Sequence, residues 1–510
     1  MYYNNAAPDR KDNITLSRKN LPMASENLRV PDPELFDLPE KVLQFGTGVL
    51  LRGLPDYYIH EANSRGIFKG RIALVKFTLA GKIDDFRDQD GLYTLNIRGI
   101  SEGKVIDKQV ICSAISRVLH ADTQWREILE IAKSKDLKLI ISNTTEAGIE
   151  FVEESIHNTP PKSYPAKLLA VLYERYKAFE GDNNAGLIII PTELIVDNGK
   201  MLEQIVRQLA AFNHLEVSFI QWLGVANRFC NSLVDRIVPG KPEENRDEGA
   251  VSKYGYSDNL RIVAEPYNLW AIEGDEELAA DLPFAELGEG VVVTPDIKQH
   301  RELKLRLLNG THTLCCGLAY LCGFTVVSDA MENRFFFGFT NCLMSDEIAP
   351  VMPGRIAEDV KRHYISQVLD RFRNPFIKHL WLNIAIEYSS KMKFRVLPLL
   401  LDEKRIDSPA IAMGFAGFLR FMKVEKNNDG YVGNYNGLLY RVIDRNADLF
   451  MEAWQSSTTN AVVDAVLKNK KLWGMDLRRS KTFSDRVVYF LDEFENLGVL
   501  GQLVKHFPLH

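Results

Sequence analysis

The sequence predicts an α/β protein in which an N-terminal doubly wound, largely parallel sheet precedes a mostly α-helical C-terminal domain. Three observations carry that expectation. Through the first half, short apolar runs alternate with helical stretches such as WREILEIAKSKD and PAKLLAVLYERYKAFE. One run, Val42 to Phe45, leads straight into a glycine turn, Gly46-Thr47-Gly48. Beyond about residue 295 helical periodicity takes over and strand-like runs become scarce.

Residues 1–38, broken by Pro31 and Pro33, read as a loosely ordered lead-in, residues 39–295 as the sheet domain, and residues 296–510 as an all-helical domain. The Val42 strand, its glycine turn and an apolar helix ending near Gly66 form a Rossmann-type phosphate cradle. Bare backbone N–H groups and a helix N-terminus there face an anion. A third glycine at position 51 is replaced by Leu51, and the nearest one is Gly53. Further strands are expected at Arg71–Thr78, Lys138–Gly148, Gly186–Ile195 and Ser218–Gly224. Ligands of such sheets bind at the carboxyl ends of the strands. Phe45, Gly46, Thr47, Gly48, Leu51, Arg52, Asn143, Thr144, Thr145 and Glu146 are therefore the candidate cofactor contacts. After the second strand, VKFTLAGKIDDF lacks the acidic residue that would hold a ribose hydroxyl; Asp84 and Asp85 come late, and Lys76 suits a 2′-phosphate.

In the second half, Thr294 reads as an N-cap, with Pro295 at the first position of a helix running to Gly323. Lys304, Asn309 and His312 interrupt its apolar pattern. With Lys304 at zero on an α-helical wheel, His312 falls near ~80° and Asn309 near ~140°, so the three share one side. An amine, an amide and an imidazole together suit proton transfer and oxygen binding better than solvation. Asn231, beside Ser232, is a further amide able to donate to a substrate oxygen, whereas Asp235 and Arg236 read as a structural ion pair.

Composition narrows the function classes. The 510-residue chain is 46% hydrophobic and 25% charged, ordinary globular values, and its net charge of −6 gives no general attraction to nucleic acid or anionic membrane. An anionic substrate must then be held by a local basic site. The polar first twenty residues do not read as a signal peptide, and no run of about 18 apolar residues reads as a membrane span. Cysteines 112, 230, 315, 316, 322 and 342 show no paired CxxC spacing, which suits reduced thiols and a cytoplasmic location. The ten histidines form no HExxH, so no metal is expected.

The order GTG turn, QDGLYTL, SNTTEAGI, CNSLVDRIVPG and KLRLLNGTH resembles the long-chain polyol and uronate dehydrogenases, the family that includes mannitol 2-dehydrogenase. KLRLLNGTH keeps the family's Lys, four residues, Asn, two residues, His pattern intact. The stretches GLIIIPTELIVDNG, RFRNPFIKHLW and SSKMKFRVLPLL resemble the hexuronate branch. The resemblance implies metal-free, reversible reduction of D-tagaturonate to D-altronate with NAD as cofactor and a small sugar acid as substrate. It also implies Lys304 as acid and base, Asn309 and Asn231 as oxygen donors, and His312 as an orienting group. Lys391, Lys393 and Arg395 are candidates for the substrate carboxylate, Lys391 being the match to a family lysine. A mannitol or fructuronate dehydrogenase, or a non-catalytic dinucleotide sensor, would share most of these features.

Overall fold

The structure is a computed structural model that describes residues 14–25, 28–77, 83–144, 148–240, 254–288, 290–401, 408–478 and 481–507. Thr145 and Glu146, the end of the expected second strand at Thr78, and the charged loop 241–249 lie outside them. The chain divides into two compact units, residues 1–98 with 106–297 and residues 99–105 with 298–510.

The first unit is built on six parallel strands: β1 (Glu40–Phe45), β2 (Arg71–Lys76), β5 (Ile115–His120), β6 (Leu139–Ser142), β7 (Ile188–Pro191) and β8 (Arg228–Phe229). Their order is β5-β2-β1-β6-β7-β8, so the chain winds outward from β1 in one direction and from β6 in the other. That reversal is the switch point of a doubly wound sheet. Alternate residues serve opposite faces: Val42, Leu74 and Ile141 pack into one core, and Leu43, Phe45, Ala73, Val75 and Ile140 into the other. A hairpin of β3 (Tyr93–Ser101) and β4 (Lys104–Cys112) pairs through β3 with β10 (Ile262–Ala264), and β9 (Ser232–Asp235), β11 (Leu269–Glu273) and β12 (Val291–Thr294) form another small sheet.

Several elements differ from expectation. Ser218–Gly224 is not a strand but part of helix Val217–Val225, because Phe219, Trp222 and Leu223 sit at helical spacing and are its buried residues, with Ile220 packed beside them. The lead-in is anchored: Leu16, Leu21 and Leu28 are buried against Tyr254 and Tyr256. Arg236 spends its donors on the carbonyls of Gly53 and Glu265, at 2.6 and 2.9 Å, through Nη1 and Nε. Thr294 is not an N-cap; it ends β12, paired opposite Glu273, and the helix starts at Lys298.

The second unit is mostly helical but not all-helical. β13 (Val424–Asn427), β14 (Gly430–Tyr435) and β15 (Leu438–Val442) make an antiparallel meander. Its β14–β15 turn is Asn436-Gly437, both at positive φ (52° and 84°), the pairing a tight hairpin requires. The helix 298–321 lies against Pro409–Phe421 so closely that a Cβ on Gly317 would meet the Gly417 carbonyl oxygen at 2.8 Å. It ends at Gly323, which takes φ 91° beyond the last turn.

Candidate active site

In the first unit the site begins at the Gly46-Thr47-Gly48 turn, at the carboxyl end of β1 and beside the switch point. Gly46 has φ 127°, and a Cβ there would meet the Asn143 carbonyl oxygen and the Leu51 side chain at 3.0 Å. Gly48 is exposed, with nothing within 4 Å of where its Cβ would stand, and precedes helix Val49–Gly53. A turn that admits only glycine on its inner side and leaves bare backbone on its outer side suits a pyrophosphate. At the end of β6, Asn143 donates to the Thr192 carbonyl (3.1 Å) and hydroxyl (3.0 Å), and the Thr144 N–H donates to the Glu193 carboxylate (2.8 Å). These bonds tie the end of β6 to the segment after β7, and the Asn143 N–H donates to the Phe45 carbonyl at 3.1 Å, beside the turn.

Three expected cofactor contacts face inward instead. Phe45 and Leu51 are fully buried, and Arg52 donates to the Leu260 carbonyl with its guanidinium near the rings of Phe86 and Tyr93. They support the turn from below. Beside Arg52 lies Asp56, completely buried and donated to by Gln44 Nε2 at 3.4 Å; burial pushes its carboxyl up to about 7. Lys76 ends β2 and is buried, and Asp85 accepts from Asn259 at 2.9 Å.

Asn231 is buried at the junction of β8 and β9. Its Oδ1 accepts from the N–H of Lys200 at 3.1 Å, while its Nδ2 has no partner among the described residues. The amide is thereby fixed with its donor end spare.

In the second unit, the helix carrying Lys304, Asn309 and His312 is not α-helical throughout. Lys298–Glu302 and Thr311–Leu321 are α-helical, and Leu303–Gly310 between them is π-helical. A π-helix turns through a smaller angle per residue than an α-helix, so Lys304 and Asn309 lie closer in azimuth here than on the α-helical wheel, where most of a half-turn separates them. Asn309 to His312 is then an i, i+3 pair on the same side. A second π segment, Met392–Val396, follows Tyr388–Lys391 and carries Lys393 and Arg395. Arg306 joins the two π segments by donating to the carbonyls of Phe394 (2.7 Å) and Arg395 (2.9 Å), while Glu302 holds its Nε at 2.9 Å.

His312 lies in a packed aromatic nest. Its ring stacks on Phe372 at 4.0 Å and 12°, and meets His379 edge-on at 5.1 Å. Nε2 is buried without a hydrogen-bond partner among the described residues. Burial, reinforced by His379, Arg371, Arg395 and Lys391, holds the imidazole well below its usual pKa, so it is neutral. Burial also lowers the Lys391 ammonium, with Arg395 adding to the effect, and lowers the Arg395 guanidinium. Lys391 Nζ donates to the Ile384 carbonyl at 2.8 Å, and Arg395 Nη1 to Thr313 Oγ1 at 3.2 Å; that hydroxyl bonds the Asn309 carbonyl at 2.7 Å. Lys393 is not among the groups acting on His312; its Nζ lies 3.8 Å from where a Cβ on Gly474 would sit. Arg371 and His379 were missed by the sequence reading although both lie in RFRNPFIKHLW, because nothing in one-dimensional spacing ties them to a helix some sixty residues earlier.

Two family profiles cover most of the chain: Mannitol dehydrogenase Rossmann domain over residues 40–285 and Mannitol dehydrogenase C-terminal domain over residues 296–495. The chain belongs to the mannitol dehydrogenase family. It is thus an oxidoreductase acting on CH–OH groups, of the polyol and sugar-acid kind. Among its relatives is altronate oxidoreductase of Bacillus subtilis (strain 168), 38% identical over 474 residues, covering 92% of this chain and 95% of that protein. The altronate oxidoreductase of Bacteroides thetaiotaomicron is 33% identical over 91% of this chain and 96% of its own length. Among solved structures, Pseudomonas fluorescens mannitol 2-dehydrogenase in ternary complex with NAD and D-mannitol matches with a TM-score of 0.69 at 20% identity, over 97% of this chain and 99% of that one. A substrate-free D-sorbitol dehydrogenase matches at 0.77 and 20% identity, over 96% and 100%. These likenesses establish the mannitol dehydrogenase fold, a Rossmann-type domain followed by a mostly helical one.

Proposed function

We propose that the chain interconverts D-tagaturonate and D-altronate with NAD as its cofactor. The observation that carries this reading is the second unit's donor set. Lys304 and Asn309 share one π-helical segment, His312 is kept neutral in the helix that continues it, and Lys391 and Arg395 add positive charge. The altronate oxidoreductase relatives supply the substrate class.

The glycine turn and the ends of β1 and β6 would hold the dinucleotide, and the absence of any side chain at Gly46 and Gly48 fits its phosphates. When bound, the nicotinamide supplies or accepts the hydride. In the reducing direction Lys304 gives a proton to the carbonyl oxygen as it becomes a hydroxyl; in the oxidising direction it takes that proton back. Asn309 donates a hydrogen bond to that oxygen as it gains charge, worth ~3 kcal/mol at the transition state, and Asn231, with its amide donor spare, is a second candidate oxygen donor. His312, neutral and gripped by Phe372, orients a substrate hydroxyl without adding a competing charge. Of the three basic candidates for the carboxylate, Lys391 and Arg395 belong to this group of side chains, and Lys393 stands apart at Gly474.

Steady-state assays with NADH against D-tagaturonate, D-fructuronate and D-fructose test the assignment. The highest kcat/KM is expected for tagaturonate. Preference for neutral fructose, or NADH binding with no turnover of any of the three, overturns it. Parallel titration with NADPH is expected to give weaker binding than NADH.

A further inference from the structure

Among the described residues, Arg395 has fewer partners than most buried or partly buried arginines; Arg52 likewise makes one side-chain bond, to the Leu260 carbonyl, but Asp56 and Asp258 act on it. Arg175 donates to the carbonyls of Ala132, Ser134, Leu137 and Ala185; Arg306 to Glu302 and two carbonyls; Arg420 to Glu495 and the Asn434 carbonyl. Arg395 makes a single side-chain hydrogen bond, to the neutral Thr313 hydroxyl at 3.2 Å. No carboxylate among the described residues acts on it. A guanidinium has five N–H donors in a planar fork, and a partly desolvated one without an anion is unfavourable unless a ligand completes it. Next to it are an ammonium with only one carbonyl partner, Lys391, and a buried imidazole nitrogen with none, on His312. Donors predominate here: Glu387 acts on Lys391 and accepts from Arg445 at 2.6 Å, but it does not act on Arg395.

The position of the fork sets what it can read. Thr313, which Arg395 touches, is one helical turn beyond Asn309 and bonds its carbonyl. One turn is about 5.4 Å along the axis, comparable to the span between the ketone and the terminal carboxylate of a six-carbon sugar acid. Among the charged candidates, Arg395 alone offers two parallel donors matched to a carboxylate; Lys391 is a point charge already bonded to Ile384.

We propose that Arg395 is the specificity-determining residue for sugar acids: its guanidinium takes the terminal carboxylate of a substrate whose carbonyl end is held by Lys304 and Asn309, and this is what separates acids from neutral ketoses. The inference rests on the sugar-acid reading above and names the group that enforces it. Thr313 acts as a positioning residue by fixing the fork.

The test compares D-tagaturonate with D-tagatose, which has a hydroxymethyl in place of the carboxylate, in the full-length wild type and in Arg395→Gln and Arg395→Lys. In Arg395→Gln the ratio of kcat/KM for acid over ketose is expected to fall about 100-fold, mostly through KM for the acid, because a fully used charged pair is lost. Arg395→Lys restores the charge without the fork and recovers part of the ratio. If Arg395→Gln does not fold, the comparison of wild type with Arg395→Lys still decides, with at least a fivefold fall in the ratio expected and an unchanged ratio contradicting the role. A wild type that prefers tagatose overturns the sugar-acid reading itself. A wild type that prefers tagaturonate and an Arg395→Gln variant that keeps the preference overturn only the role of Arg395.

Discussion

The two units solve recognition in opposite ways. In the first, the proposed ligand-facing surface is nearly all backbone: Gly46 and Gly48 bring no side chain, and Phe45, Leu51 and Arg52 turn into the core beneath them. In the second, the proposed chemistry falls to side chains on a helix whose geometry departs from the α form. Leu303–Gly310 widens to a π-helix, which brings Lys304 and Asn309 closer in azimuth than an α-helix would. The difference follows from the ligands. A pyrophosphate is bound by N–H groups that any sequence supplies, so the sequence need only avoid obstructing them. A proton transfer needs a particular amine at a particular place, so the backbone must adapt.

The contrast can be sharpened from both sides. The largest effect is expected at Lys304, where Lys304→Ala lowers kcat by roughly 10³-fold or more while NADH affinity stays within a few-fold. Lys304→Arg does not rescue it, since a guanidinium does not release its proton near neutral pH. Asn309→Ala and Asn231→Ala are each expected to lower kcat by about 100-fold with little change in the KM for NADH, as expected for lost donors to a developing oxyanion. Steady-state kinetics on the purified variants give both numbers.

Smaller effects mark the backbone half. Gly46→Ala is expected to lose roughly 1–3 kcal/mol of stability, because φ 127° and the Asn143 carbonyl at 3.0 Å both oppose a Cβ. Gly48→Ala meets nothing in the chain and should unfold within about 0.5 kcal/mol of the parent. A rise in the KM for NADH at Gly48→Ala would therefore report the ligand itself. Urea melts alongside NADH titrations separate the two.

A change that depends on pH concerns Asp56. Its folded carboxyl titrates at about 7 against an ordinary 3.8, so between those values the folded state holds a proton that the unfolded state has released. Stability from this group is present in full below the ordinary value and is lost as pH rises through about 7. Asp56→Asn removes that penalty. It is expected to exceed the parent by roughly 1–3 kcal/mol at pH 8 and to match it at pH 4, by urea melts at the two pH values. Equal effects at both pH values would show that the carboxyl is ionised in the fold.

How much of this was legible in the sequence divides along the same line. The glycine turn, the alternating strands and the Lys, Asn, His spacing are local patterns and can be read directly. The π-helix cannot, because LKLRLLNG has an ordinary helical composition and the extra residue per turn is set by packing, including the tie from Arg306 to residues 394 and 395. Ser218–Gly224 was misread because a seven-residue apolar run does not distinguish strand from helix. The Asn436-Gly437 hairpin carries a local Asn-Gly signal, but it lies in a region dominated by helical patterns. Arg371 and His379 join the site only through folding of distant segments.

The central claim, that the π-turn presents Lys304 as the proton donor, is tested most directly by rapid mixing of the Lys304→Ala variant with NADH and D-tagaturonate. NADH fluorescence should report normal binding while the absorbance of NADH fails to decay on the wild-type time scale. Decay at the wild-type rate, with binding intact, would contradict the account.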